Sequence, residues 1–248
     1  MTRIAVLSDV HGNLAALEAV AAEIRREKPD AVLVAGDLVL NGPDPNGCVD
    51  ALRHLESEGA LIVSGNTDIA VGDFDYGAAL PQYQDGLPES ITAAAEWAHD
   101  ELGDDQLAWL RRLPSERRMR ADGDTLVLVV HASPGSQTRG FDQTLGNDVI
   151  FERAAGTDAR IICVGHTHLP EVRDLGWKVV VNAGSAGYVF DGDPTASWAM
   201  VTVADGEVDA VIRRTPFDAV SVANAISARG LPGDVYRAAT VRTGKLVR

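Results

Sequence analysis

Ile4-Ala-Val-Leu-Ser-Asp9-Val-His11-Gly-Asn13 joins an apolar run to an aspartate and a histidine two apart, and ends on a residue suited to begin a helix. The run reads as a strand, and ligand-type side chains just past its end read as one corner of a site in an α/β fold. Asn13 serves as N-cap of a helix reaching about Glu27, with Leu14, Leu17, Ala21 and Ile24 as its buried stripe. Asp9 and His11 in extended backbone would project to the same side. The pattern then recurs. Ala31-Val-Leu-Val-Ala35 precedes Gly36-Asp37, and Leu61-Ile-Val63 precedes Gly65-Asn66-Thr67-Asp68. Leu126-Val-Leu-Val-Val130 precedes His131, and Ile161-Ile-Cys-Val164 precedes Gly165-His166-Thr167-His168. The early strand and helix alternation, with Asp44 or Asn46 capping the second helix, predicts parallel strands and right-handed crossovers.

Outward from these runs, residues 73–123 change character. Gly77, Pro81, Gly86 and Pro88 mark a loop, and helices are predicted at 89–102 and 104–113, ended by Pro114. The segment is expected as a helical insertion bordering the site within one domain spanning 1–248. From Thr125 onward strands are predicted at 125–131, 160–164, 178–182, 197–203 and 207–214, with Asp205-Gly206 as a hairpin turn. Helices at 147–155 and 218–229 interrupt this series, and a last strand is expected at 235–242.

The apolar fraction of 46% and charged fraction of 23% are those of an ordinary globular chain. A formal net charge of −14 argues against duplex nucleic acid and against an anionic membrane as partner. A small phosphorylated substrate remains compatible, because bound cations reverse the field locally. No leader-like or membrane-spanning run is visible, and Cys48 and Cys163 form no paired spacing, so a cytoplasmic protein is expected. Its oligomeric state is left open, a homo-oligomer included.

Four of the six histidines fall in the strand-end clusters: His11, His131, His166 and His168. Imidazole, carboxylate and amide oxygen together suit Zn, Mn, Fe or Co, and the lack of clustered thiolates argues against a structural zinc site. The ordered set Asp9-Val-His11, Gly36-Asp37, Gly65-Asn66-Thr67-Asp68, His131 and Gly165-His166-Thr167-His168 resembles the calcineurin-like metallophosphoesterase superfamily. The resemblance runs from residue 4 to about 188. Asn41-Gly-Pro-Asp-Pro45 and Asn182-Ala-Gly-Ser-Ala-Gly-Tyr188 look like its small bacterial and archaeal branch.

That resemblance implies a four-layer α/β/β/α sandwich of two mixed sheets. It implies two divalent metal ions (Mn, Fe, Zn, Co or Ni), one held by Asp9, His11, Asp37 and His168, the other by Asp37, Asn66, His131 and His166. It further implies a phosphoesterase that hydrolyses small monoesters or diesters through a metal-bridging hydroxide. Asn66 and Asp68 are the candidate catalytic residues, with Asp68 favoured as a group that fixes a histidine or the loop. One departure stands out: the family often has histidine where this chain has Thr67, and a threonine hydroxyl is too weak an acid to protonate a leaving group near neutral pH. The alternatives are a catalytically silent metal-binding scaffold and, among enzymes, a dinucleoside polyphosphate hydrolase.

Weaker features have two readings each. Gly184-Ser-Ala-Gly187 would either approach a phosphate through its N–H groups or form a plain turn. Arg139 and Phe141 are expected in a solvated loop, Trp97 and Trp109 in helix packing, His54 and His99 on helix surfaces. Arg111, Arg112, Arg117, Arg118 and Arg120 are expected at a solvated helix end.

Overall fold

The structure, a computed structural model, describes residues 1 to 248. In chain order its strands are β1 (Thr2–Leu7), β2 (Ala31–Val34), β3 (Leu61–Ile62), β4 (Glu116–Ala121), β5 (Thr125–Val130), β6 (Ile161–Val164), β7 (Glu171–Asp174), β8 (Val179–Asn182), β9 (Ala196–Ala204) and β10 (Glu207–Thr215). The helices are α1 (Leu14–Glu27), α2 (Pro45–Ser57), α3 (Asn66–Asp73), α4 (Tyr76–Ala79), α5 (Glu89–Asp100), α6 (Asp104–Arg111), α7 (Asn147–Ala155), α8 (Ala219–Arg229) and α9 (Asp234–Thr243). Two five-stranded mixed sheets result, ordered β10-β9-β1-β2-β3 and β4-β5-β6-β8-β7. Each contains a parallel trio, β1-β2-β3 in one and β5-β6-β8 in the other. The remaining strands pair antiparallel.

Alternation along β1 assigns the layers. Ile4 and Val6 share a buried cluster with Val127, Val129, Ile161 and Cys163, which is the seam between the sheets. Ala5 and Leu7 point the other way, into a cluster with Leu17 and Val20 of α1 and Leu52 of α2. Across the molecule, Ile150 and Ala154 of α7 cover Leu128, Ile162 and Val180 of the second sheet. Helix, sheet, sheet, helix is therefore the layering, and strands buried on both faces explain the unbroken apolar runs. Asn13 and Asp44 cap α1 and α2 by accepting from the N–H of Ala16 and Gly47. No helix is long and apolar enough to cross a membrane.

Several expectations fail, each for a local reason. Residues 235–242 belong to helix α9, not a strand: their β-branched and aromatic residues suggest β, but Arg237, Ala238 and Val241 are buried at helical spacing. Val235 and Tyr236 are turned to solvent. Arg117, Arg118 and Arg120 lie on β4, an edge strand paired residue by residue with β5, not at a helix end. Its exposed arginines hide the alternation and blunt the edge. The 73–123 segment is thus helical only as far as Arg111 and then joins the second sheet. The four-residue β7 was too short and charged to register. His99 is half-buried, its ring donating to the Val71 carbonyl at 2.7 Å and lying 4.5 Å from the Phe74 ring. Phe141 is buried in the α7 cluster, not solvated.

Candidate metal centre

The parallel strands end on one edge, and the side chains the sequence singled out gather there. Asp9 follows β1, Asp37 follows β2, Asn66 begins α3 after β3, His131 follows β5, and His166 and His168 follow β6. The backbone is not extended at these residues. Asp9, His11, Asp37, His166 and His168 all have φ between 51° and 69°, the left-handed region that non-glycine residues seldom occupy. The chain turns abruptly at the ends of β1, β2 and β6, and that turn, not a shared strand face, brings the Asp9–His11 and His166–His168 pairs together. Two glycines make room: a Cβ on Gly65 would sit 2.1 Å from Asp37 Oδ1, and one on Gly165 would sit 2.2 Å from Asp9 Oδ2.

The site divides into two nests of ligand atoms. In the first, His11 Nε2 faces His168 Nε2 at 3.2 Å, with Asp9 Oδ1 3.3 Å from His168 Nε2 and Asp37 Oδ2 3.6 Å from His11 Nε2. In the second, His131 Nε2 lies 2.9 Å from Asn66 Oδ1 and 3.1 Å from His166 Nδ1, with Asp37 Oδ1 at 3.3 Å. Asp37 thus gives one oxygen to each nest. Asp9, His11, Asp37 and His168 are buried, with ligand atoms all within 4.8 Å of one another, and can hold a metal ion.

Hydrogen bonds on the far side of each ring reveal what these atoms are. His11 Nδ1 faces the Leu40 carbonyl at 2.9 Å, His131 Nδ1 the Ala35 carbonyl at 2.7 Å, His166 Nε2 the Thr138 carbonyl at 3.1 Å, and His168 Nδ1 the Tyr188 carbonyl. A carbonyl only accepts, so each outward nitrogen carries a proton and each inward nitrogen of a neutral ring is a bare lone pair. Asn66 is fixed likewise, its amide N–H donating to the Ala79 carbonyl at 3.0 Å so that Oδ1 points inward. Asp9 Oδ1 is buried with no hydrogen-bond partner. Lone pairs crowded this closely repel one another unless a cation lies between them. The residues present therefore fit divalent metal.

Ionisation follows the same layout. Burial pushes His11 down to about 4, helped by His168, and pushes His166 down to about 4, helped by His131. Burial works against the charge of Asp9, yet His168, His131 and His11 hold its carboxyl well below the usual range. Burial lowers His168, but Asp9, the Tyr188 carbonyl and Asp37 together raise it, for a net upward shift.

Asp68 does not face the ligands. Its Oδ2 accepts from the N–H of Gly65 at 2.8 Å and of Asp37 at 3.0 Å, and its Oδ1 accepts from Leu38 at 2.8 Å, so it pins the two metal loops to each other. Burial and the Asp37 charge push it up to about 7 against the pull of those donors. The Gly184–Gly187 turn spends its N–H groups inside the fold: Ala186 donates to Ser8, Gly187 to Asp9, and Gly184 to the Asn182 side chain. It buttresses the Asp9 loop, with three of its four N–H groups already engaged.

Above the ligands opens a cleft of about 280 Å³. Leu40, Leu80, Tyr83, Ile91, Tyr188 and Phe190 form apolar walls, and Asn41, Thr67 and Gln82 supply neutral polar groups. Phe190 stacks on His168 with centroids 4.1 Å apart. Neither lysine nor arginine lines it. The carbonyls that fix the rings, and the cleft walls from residues 80–91, carry no sequence signal; Tyr188 closes a string already noticed.

Comparison with known proteins agrees with this geometry. Residues 2–206 match the family model of the calcineurin-like phosphoesterase superfamily domain. The uncharacterized protein MJ0912 of Methanocaldococcus jannaschii is 28% identical over 223 residues, covering 84% of this chain and 86% of that protein. A metallophosphoesterase from Sphaerobacter thermophilus superposes with a TM-score of 0.73 at 28% identity, over 98% of this chain and 99% of its own. The hypothetical protein PH1004 from Pyrococcus horikoshii shares the fold, with a TM-score of 0.83 at 21% identity over 98% and 99% of the two chains.

Proposed function

We propose that this chain, which belongs to the calcineurin-like phosphoesterase superfamily, hydrolyses small phosphate monoesters or diesters at a centre of two divalent ions. It is a metal-dependent phosphoesterase. The observation that carries the two-ion reading is the pair of lone-pair nests sharing Asp37. Asp9, His11, Asp37 and His168 would hold one ion, and Asp37, Asn66, His131 and His166 the other. When bound, such a pair acidifies a water and offsets the charge of phosphoryl oxygens.

The chain's own residues do the rest. Two carboxylates against two divalent ions leave the centre net positive, so an anionic group is drawn in despite a protein charge of −14. Apolar and aromatic walls fit a flat or apolar leaving group. A polyphosphate chain would call for cationic side chains along the cleft, and it has none, which favours a single small phosphate over a dinucleoside polyphosphate. Manganese is the first ion to test, because nitrogen and oxygen ligands without thiolate accept it.

Thr67 lines the cleft, and its buried hydroxyl has no partner. It can donate a hydrogen bond to a leaving oxygen but cannot protonate it near neutral pH. The rate is therefore expected to depend on how well the leaving group departs unaided. Across Mn²⁺-loaded assays, kcat/KM should fall at least about 100-fold from a nitrophenyl ester to an alkyl ester of the same phosphate type, the usual worth of a missing general acid. A flat series would show that another group supplies the proton.

A further inference from the structure

We propose that Asn41 contacts the substrate, as a fixed hydrogen-bond donor to a phosphate oxygen, and that Arg237 of α9 is the positioning residue that aims it. This rests on the phosphoesterase reading above. Asn41 lines the cleft together with His11, Asp37, Asn66, His166 and His168. Its backbone is left-handed, with φ of 85°. Arg237 Nε donates to Asn41 Oδ1 at 3.1 Å. A guanidinium has no acceptor, so the amide can be oriented only one way: oxygen towards α9, NH₂ away from it. No group of the protein accepts from that NH₂.

The backbone is clamped as firmly as the side chain. Arg229 donates to the Asn41 carbonyl at 2.9 Å and to the Gly42 carbonyl at 2.7 Å. Asp234 ties the two arginines together, 2.7 Å from Arg229 and 3.1 Å from Arg237. Arg237 also donates to the carbonyls of Pro232, at 2.8 Å, and Ser90, while Arg229 lies over the Trp97 ring at 4.4 Å. All three charged side chains are at most 8% exposed.

Two guanidiniums against one carboxylate leave an uncompensated positive charge in the interior, an arrangement that stability alone disfavours. Its position explains it: the charge lies behind the cleft and rigidifies a loop amide that lines it. Arg229, Asp234 and Arg237 all lie beyond the 2–206 region shared with the family model, so this support comes from the chain's own C-terminal helices.

The test uses the full-length protein loaded with Mn²⁺, inorganic phosphate as the binding probe, and an aryl phosphate for turnover. Asn41→Asp is nearly isosteric and keeps an oxygen for Arg237, but replaces the NH₂ with a carboxylate oxygen. It should keep the wild-type metal content and a Tm at or above wild type, yet weaken phosphate binding by calorimetry at least about tenfold, with a larger loss in kcat/KM. Asn41→Gly removes the donor without adding charge and suits the left-handed backbone; it should weaken phosphate binding about five- to tenfold. Arg237→Lys should match that loss, and combining it with Asn41→Gly should add little, because both act through one amide. Phosphate affinity and kcat/KM of Asn41→Asp within twofold of wild type would overturn the proposal. If the loaded wild type neither binds phosphate nor turns over substrate, the phosphoesterase reading fails and this proposal falls with it.

Discussion

At His11, His131, His166 and His168 a backbone carbonyl accepts a hydrogen bond from the ring's one N–H, so the neutral ring meets the cleft as a lone pair. The candidate ligand residues were legible at this scale because aspartate, histidine and asparagine in order after apolar runs carry their chemistry in their names. The carbonyls were not, since any residue supplies one. Asp68 shows the limit. Its spacing from Asn66 made it a candidate for catalysis, but three backbone N–H groups occupy its oxygens, and only folding brings Leu38 and Asp37 to it. Asp68→Ala should therefore cost about 3 kcal/mol from unsatisfied buried donors, a drop of roughly 6–12 °C in Tm for a chain of this size. Metal affinity should fall with it, while turnover per bound metal pair stays within about tenfold of wild type. Thermal melts and metal-normalised rates check this. A thousandfold loss of normalised rate at unchanged Tm would instead make Asp68 catalytic.

At the scale of elements, the ends of β1, β2 and β6 do the same work by left-handed turns. Five ligand residues at φ of 51° to 69° carry backbone strain of about 1 kcal/mol or more apiece, which the surrounding packing sustains. Apolar periodicity revealed the strands that end in these turns. It missed β4 and β7 because these short edge strands are mostly charged, and misread α9 because its β-branched and aromatic residues, Val235, Tyr236 and Val241 among them, suggest β. Gly165 shows how tightly the turns abut: a Cβ there would meet Ser8 Oγ at 1.9 Å and Asp9 Oδ2 at 2.2 Å. Gly165→Ala is expected to destabilise by about 2–3 kcal/mol through overpacking and to lower metal occupancy by displacing Asp9. Denaturant melts and dialysis against Mn²⁺ would detect both. A variant with wild-type stability and occupancy would mean that the Asp9 turn yields without consequence.

Over the whole molecule, an acidic chain carries one locus built for cations, at the edge where both parallel trios end. Both sheets contribute to that locus: Asp9, His11, Asp37 and Asn66 follow strands of the first, His131, His166 and His168 strands of the second. The site therefore exists only when the two sheets face each other, and the apolar seam of Ile4, Val6, Val127 and Ile161 aligns them. The layered fold was legible only through the family resemblance, since composition and periodicity stop at an α/β chain with a strand-rich second half. The clamp on Asn41 from α8 and α9 was not legible at all, because it joins residues nearly 200 positions apart. The most direct test of the whole account is the number of Mn²⁺ equivalents bound per chain at equilibrium, in the wild type and in Asp37→Asn. Close to two equivalents in the wild type, with the variant dropping to one or fewer and losing turnover, is the expected result. An Asp37→Asn protein that keeps both equivalents and its activity would contradict the shared carboxylate on which the centre depends.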